Sequence, residues 1–240
     1  MGIQRIIHYC WFGKTEFPEL AQRCLSSWRR YMPDWQYKLW NEENFDVNCH
    51  PYTKEAYEAG KYAFVSDYVR LWALEREGGV YMDVDFMVYK PFDDLLSLKA
   101  FAGFEGSKRR PVMMGVCASE PHGKWVTEML NAYCDRHFVN ADGSLDMRTN
   151  VQFITAIMAA HGLLQNGEEQ VYRDLHVFPV DYFCPRLTTG EYLRTNHTYC
   201  EHLGLDSWAG HTSGWKNKLR RIVGQNNMTR LIKLKRKLFG

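Results

Sequence analysis

The run AFVSDYVRLWALEREGGVYMDVDFMVYKP, from Ala63 to Pro91, divides into two halves of different period. In the first, Phe64, Tyr68, Leu71 and Trp72 recur at the i, i+4, i+7, i+8 spacing of a helix that buries one face, with Leu74 beside them. Gly78 and Gly79 then stop it, because glycine takes the left-handed conformation that ends helices at little cost. Val80-Tyr81-Met82 is a short β-branched and aromatic run with the pattern of a buried strand, and its carboxyl end carries Asp83 and Asp85. In an extended segment those two carboxylates lie on one side and repel each other unless a cation stands between them. Hard carboxylate oxygens suit Mg²⁺ or Mn²⁺, which leave coordination positions for phosphate oxygens. A solvated acidic turn is the plainer reading of an isolated Asp-x-Asp. A buried strand before the pair, the apolar Phe86-Met87-Val88 after it, and a helix carrying Asp67 and Arg70 upstream favour the metal.

The whole chain of 240 residues, 45% hydrophobic, is long enough to bury one full α/β core. Its net charge of +2 hides an uneven distribution. Nine basic residues and no acidic one lie between Ser207 and Gly240, which sets a basic tail over 216–240 apart from a domain over 1–215. In that tail Leu231, Ile232, Leu234, Leu238 and Phe239 punctuate the basic residues, a composition suited to an anionic membrane surface; a helix packed back onto the domain is the alternative. No nucleic-acid recognition motif accompanies it, so nucleic acid is not an expected partner. No run approaches the ~20 apolar residues that span a bilayer, and the amino terminus leads into a strand rather than a signal peptide. The expected location is therefore the cytoplasm, peripheral on the inner face of the cell membrane. Seven cysteines without a Cys-x-x-Cys indicate neither a disulfide framework nor a structural zinc site.

Taken in order, Arg5–Phe12 reads as a buried strand, 18–31 as an amphipathic helix and Gln36–Trp40 as a second strand, the β-α-β opening of a nucleotide-binding sheet. Trp11 falls at the carboxyl end of the first strand, where ligands bind in parallel sheets, and His8 reads as a core histidine. Tyr52–Ala59 is a short helix. Asp67 and Arg70 lie one turn apart on one helix face, as an ion pair or as ligand-binding groups. Lys90–Leu96 makes a helical turn with Asp93 and Asp94 at its amino end. Phe101–Glu105 and Val112–Ala118 are strands separated by a basic loop. Trp125–His137 and Asn150–His161 are helices, the second capped by Thr149. Val171–Val180 and Tyr199–Leu203 are late strands.

Ser66-Asp67-Tyr68-Val69-Arg70-Leu71, followed at fixed separation by Gly78-Gly79-Val80-Tyr81-Met82-Asp83-Val84-Asp85, resembles the signature of the DXD-containing sugar-transferase family, glycosyltransferase family 32. That family includes yeast α-mannosyltransferases and many bacterial capsule enzymes, and it is similar to the glucosyltransferase domains of the large clostridial toxins. The resemblance implies an α/β fold of the GT-A type: a Rossmann-like, mixed and mostly parallel sheet flanked by helices, here with a basic C-terminal helical tail. It implies Mn²⁺ or Mg²⁺, a nucleotide-sugar donor, by prevalence UDP-galactose or UDP-glucose, and transfer with retention to a saccharide acceptor, a lipid-linked capsule or O-antigen intermediate. Trp11 would lie against the base, Asp67 and Arg70 would hold donor hydroxyls and phosphate, and Asp83 and Asp85 would hold metal. Asp67, Arg70 and Asp85 are the expected catalytic residues.

Cys200-Glu201-His202-Leu203-Gly204-Leu205-Asp206-Ser207-Trp208 resembles the family's closing motif, a His followed five and six positions later by Ser-Trp. It points to His202 as a metal or diphosphate contact, with Asp206, Ser207 and His211 as competitors, and to Trp208 as an aromatic wall over the donor. Leu203 stands where the motif usually has a second His, Met113-Met114 where relatives often have an Asn, and Thr149-Asn150-Val151 in place of Thr-Gly-Pro. Asn150 and Gln152 remain candidates to face sugar hydroxyls. A toxin-like effector that glycosylates a protein and a sugar-binding module without catalysis are the other readings of the same residues.

Overall fold

The computed structural model describes residues 2–106, 110–187 and 189–205. The chain forms two units, Met1–Leu205 and Asp206–Gly240. The second lies outside the described residues, and with it the expected basic tail and Asp206, Ser207, Trp208 and His211. Ser107, Lys108 and Arg109 of the basic loop do so as well.

The break at Gly78-Gly79 sets the architecture. Gly78 and Gly79 take φ of +65° and +102°, where a side chain is strained. A Cβ on Gly78 would come within 2.6 Å of Pro121 Cδ, and one on Gly79 within 2.8 Å of Ile6 O. Only a pair of glycines lets the helix Tyr62–Glu77 (α3) reverse so tightly into the strand Gly79–Met82 (β3). Before it, Ile6–Cys10 (β1), Glu19–Tyr31 (α1) and Gln36–Trp40 (β2) form the anticipated β-α-β unit, with β1 parallel to β2 on one side and to β3 on the other. Pro51–Glu58 (α2) precedes α3.

Phe86–Val88 (β4) leaves the main sheet after Asp85. The chain continues through Ala100–Phe104 (β5), Val112–Ser119 (β6), Lys124–Asn131 (α4), Asn150–Ala160 (α5), Gln170–Tyr172 (β7), Leu175–Phe178 (β8) and Cys200–His202 (β9). Seven strands order as β2-β1-β3-β6-β5-β8-β7, while β4 and β9 pair as a separate antiparallel ribbon. The pairings give β2, β1, β3, β5 and β8 one direction and β6 and β7 the other, a mixed and mostly parallel sheet. Strand alternation feeds two cores. Tyr81 packs with Phe64, Trp125 and Ile154 from α3, α4 and α5 on one face, and Val80 and Met82 pack with Leu25 and Trp28 of α1 on the other.

Three expectations are corrected. The single strand over 171–180 is a hairpin, β7 antiparallel to β8, because Arg173 turns the chain at φ +57° without a glycine to mark it. The helix expected to run to His137 ends at Asn131, and turns carry the chain onward. The Asp83-Val84-Asp85 segment is a turn rather than extended chain: Phe86 N–H returns to Asp83 O at 3.2 Å. The two carboxylates therefore reach the same region by a bend, not by strand alternation.

Candidate active site

β3 ends beside β1, so the aspartate turn and Trp11 emerge from the same, carboxyl-terminal edge of the sheet. The turn is anchored from behind by β6, where Gly115 O accepts the Asp83 N–H at 2.8 Å. Gly115 is needed there: a Cβ would stand 2.6 Å from the Phe86 ring and 2.9 Å from Asp83 Oδ2.

Arg70 is the hub of the site. It lies on the inner face of α3, nearly inaccessible to solvent, with its guanidinium 4.6 Å above the Tyr81 ring. One nitrogen donates to Met114 O at 2.6 Å; the other donates to Asp67 Oδ1 at 2.7 Å and lies 3.5 Å from Asp83 Oδ1. Tyr81 O–H donates to Asp83 Oδ1 at 2.7 Å. Burial works against the arginine's charge, but Asp83, Tyr81 and Asp67 more than offset it and hold it protonated well above the usual arginine value. Burial pushes the Asp67 carboxyl up to about 6 in spite of Arg70. Burial raises Asp83 as well, with Arg70 opposing and Asp85 adding repulsion.

Asp85 is held differently. Its Oδ2 accepts from His202 Nε2 at 3.0 Å and from the Leu205 N–H at 2.8 Å, while its Oδ1 is buried without a hydrogen-bond partner among the described residues. Burial opposes its charge, but the His202 hydrogen bond and charge and the Leu205 N–H bring its carboxyl below the ordinary value. His202 arrives on β9 through the β4·β9 ribbon, directly opposite Phe86, and its ring stacks on that phenyl at 4.7 Å. Burial lowers the imidazole, yet Asp85 outweighs it and lifts His202 to about 9.

The sign of this pair's linkage follows. A histidine raised above its unfolded 6.5 contributes stability in full below that pH and loses it as pH rises through about 9. The imidazole side chain is 38% exposed, so screening confines the contribution to roughly 1 kcal/mol or less. In chelating buffer the urea midpoint is expected to fall between pH 7 and the alkaline side of that transition, and to fall less in His202→Asn. Superimposable pH profiles of the two proteins would contradict the pairing.

Trp11, half-buried, leans on Phe17 at 4.9 Å and donates its indole N–H to Thr15 O at 2.7 Å. Next to it Gly13 lies under the Tyr62 ring, and its N–H is held by Glu42 Oε1 at 2.7 Å, which also takes the Tyr57 hydroxyl at 3.0 Å. Of the two α5 candidates, Asn150 reaches the site: its side-chain amide donates to Asp67 O at 3.3 Å. Gln152 instead closes a capping box with Thr149. Asp93 pairs with Arg5 and Asp94 accepts from Tyr199 O–H, away from the aspartate turn. His8 is fully buried between Gly78 O and Trp40 Nε1.

The structure thus gathers Asp67, Arg70 and Asp83 in one ion cluster, sets Asp85 with His202 beside it, and leaves Trp11 on the same sheet edge. Tyr81, Gly115, Glu42 and Tyr62 were not anticipated. Tyr81 alone was signalled along the chain, two residues before Asp83. Among the described residues no three His, Cys, Asp or Glu side chains converge to hold a metal by themselves. The unpartnered Asp85 Oδ1 and the crowding of Asp83 by Asp85 fit an ion that draws its remaining ligands from phosphate oxygens and water.

Residues 18–102 match the family described as "Glycosyltransferase sugar-binding region containing DXD motif". The inositol phosphoceramide mannosyltransferase 1 of Schizosaccharomyces pombe is 32% identical over 115 residues, covering 41% of this chain and 33% of that protein. The mannosyl phosphorylinositol ceramide synthase SUR1 of Saccharomyces cerevisiae is 33% identical over 108 residues, 41% of this chain and 27% of its own. The chain spans about a third of the length of these curated relatives. Among solved structures, one titled "PaToxG Glycosyltransferase" superposes with a TM-score of 0.51 at 14% identity, over 67% of this chain and 70% of that one, a likeness of fold. That fold is of the GT-A type.

Proposed function

We propose, from the match of residues 18–102 to the DXD-containing glycosyltransferase sugar-binding region, that this protein is a metal-dependent, retaining glycosyltransferase that moves a hexose from a nucleoside-diphosphate sugar to a saccharide acceptor. The observation that carries the reading is the buried Asp85 Oδ1 that no donor among the described residues satisfies, next to a second carboxylate at the ligand-binding edge of the sheet.

In this reading Asp83 and Asp85 are the carboxylate ligands of Mn²⁺ or Mg²⁺, and His202 orients Asp85 and joins the ligand set once deprotonated. The ion supplies neutralisation of the departing diphosphate. Arg70 spaces Asp67 from Asp83 and directs both carboxylates forward; Asp67, fixed by Arg70 and backed by Asn150, accepts from donor hydroxyls. Trp11, with Tyr62 beside it, provides the surface for the base. No side chain is assigned as a covalent nucleophile. We therefore favour same-face attack, in which the acceptor hydroxyl gives its proton to the leaving diphosphate.

UDP-galactose and UDP-glucose are the donors suggested by family prevalence, and the names of the yeast relatives add mannose as a candidate sugar. The inositol phosphoceramide in the fission-yeast name supports a lipid-linked acceptor, which fits capsule or O-antigen assembly at the inner membrane face, with the basic tail on the lipid. Among the described residues no helix is long and apolar enough to cross a membrane. A thermal-shift screen of nucleotide sugars with Mn²⁺ tests the reading. The true donor at a hundredfold excess over its Kd is expected to add about 2.7 kcal/mol of apparent stability, only with metal present. No shift with any nucleotide sugar would sink it.

A further inference from the structure

The strand that leaves the aspartate turn runs along α1: Trp28 Nε1 donates to Phe86 O at 2.7 Å and the Val88 N–H to Ser27 Oγ at 3.0 Å. Beside this contact the two elements flank a shallow, open groove of about 580 Å³, within the ~300–1,000 Å³ of ordinary ligand sites. Met87, Val88 and Tyr89 line one side of it and α1 the other. The groove begins close to the aspartate turn in the chain, since Met87, which lines it, follows Asp85 by two residues.

Arg23 and Arg30 line the helix side. Seven residues, close to two turns, put them on one face of α1 and ~10 Å apart. Both are exposed, and neither is ion-paired among the described residues. Glu19, one turn before Arg23, is the only carboxylate among the described lining residues and makes no salt bridge to it. Guanidinium groups can donate to sugar hydroxyls, but their forks match phosphate oxygens in pairs, and such charge-assisted contacts are the stronger ones.

We propose that this groove holds the acceptor, and that the acceptor is a saccharide bearing a phosphate, with the phosphate on Arg23 and Arg30 and a sugar hydroxyl turned toward the Asp85 end. The inference rests on the transferase reading above. In the transfer, the acceptor oxygen bonds to the anomeric carbon, the bond from that carbon to the diphosphate breaks, and the hydroxyl proton leaves with the diphosphate.

The test titrates glucose 1-phosphate and methyl glucoside into the natural chain and into Arg23→Gln/Arg30→Gln, by calorimetry in chelating buffer. Glucose 1-phosphate is expected to bind at least about tenfold more tightly than methyl glucoside, and the double variant to lose that difference, as charge-assisted contacts are the stronger ones. Metal-dependent hydrolysis of the donor should stay unchanged in the variant. Equal affinity for the two sugars, or undiminished binding of glucose 1-phosphate by the variant, overturns the proposal. A natural chain that shows the difference but hydrolyses no nucleotide sugar overturns the transferase reading and leaves the groove as a sugar-phosphate site. Tighter binding when the same sugar phosphate is displayed on a vesicle lipid marks a lipid-linked acceptor; equal binding in solution marks a soluble one.

Discussion

Asp85→Asn is expected to cut metal-stimulated hydrolysis of the nucleotide sugar by about 10²–10³, the scale on which removal of one group that stabilises a leaving or developing anion acts. The substitution is nearly isosteric. Its carbonyl can still accept from His202 Nε2 and the Leu205 N–H, so the turn and the β4·β9 ribbon keep their ties. What changes is Oδ1, now an amide nitrogen aimed where a cation would sit. The variant also relieves the repulsion that contributes to raising Asp83. Stability in chelator should therefore hold, while the extra stability conferred by Mn²⁺ with UDP disappears. Calorimetric melting with and without the pair of ligands reads both effects at once. Retention of the ligand-dependent stabilisation in Asp85→Asn would remove this carboxylate from the metal site.

The largest structural effect is expected at Arg70. Its guanidinium, 6% exposed at the side chain, is the common partner of Asp67, Asp83 and the Met114 carbonyl. Arg70→Met leaves two carboxylates close together in the interior with no cation between them, a loss of about 3–5 kcal/mol for a broken buried pair. At ~2–4 °C per kcal/mol for a domain of this size, the melting temperature should drop by roughly 6–20 °C. Arg70→Lys keeps the charge but not the fork that serves two partners, and should fall between. The double variant Asp67→Asn/Arg70→Met should lose less than the sum of the single changes, because one stranded charge goes with its partner. Urea unfolding of the four proteins settles it; strict additivity would mean that the Asp67 to Arg70 contact carries no coupling.

Much of this chain was readable from local chemistry. The period of α3, the glycine pair behind it, the limits of β2 and the Thr149 cap all depend on residues within a turn or two of each other. So does the coincidence of an Asp and an Arg one turn apart with two further Asp residues after a strand. The failures are of the opposite kind. The hairpin at Arg173 has no glycine to announce it, and its turn is held where Asp174 caps α4 through the Lys124 and Trp125 N–H groups, some fifty residues away in sequence. The bend at Asp83-Val84-Asp85 exists because β6 takes the Asp83 N–H and β4 must turn to meet α1.

By itself, then, the sequence determined which side chains bear the chemistry and roughly which helices and strands carry them, since periodicity, capping and backbone freedom are short-range properties. Only the tertiary structure decided how those side chains meet: that Arg70 is shared among Asp67, Asp83 and Met114 O, that His202 closes on Asp85 across 117 residues, and that one oxygen of Asp85 stays unsatisfied. Each of these depends on strand order and register, β6 beside β3 and β9 beside β4. Such order is settled by burying two faces of one sheet at once, a requirement no short stretch of chain can express.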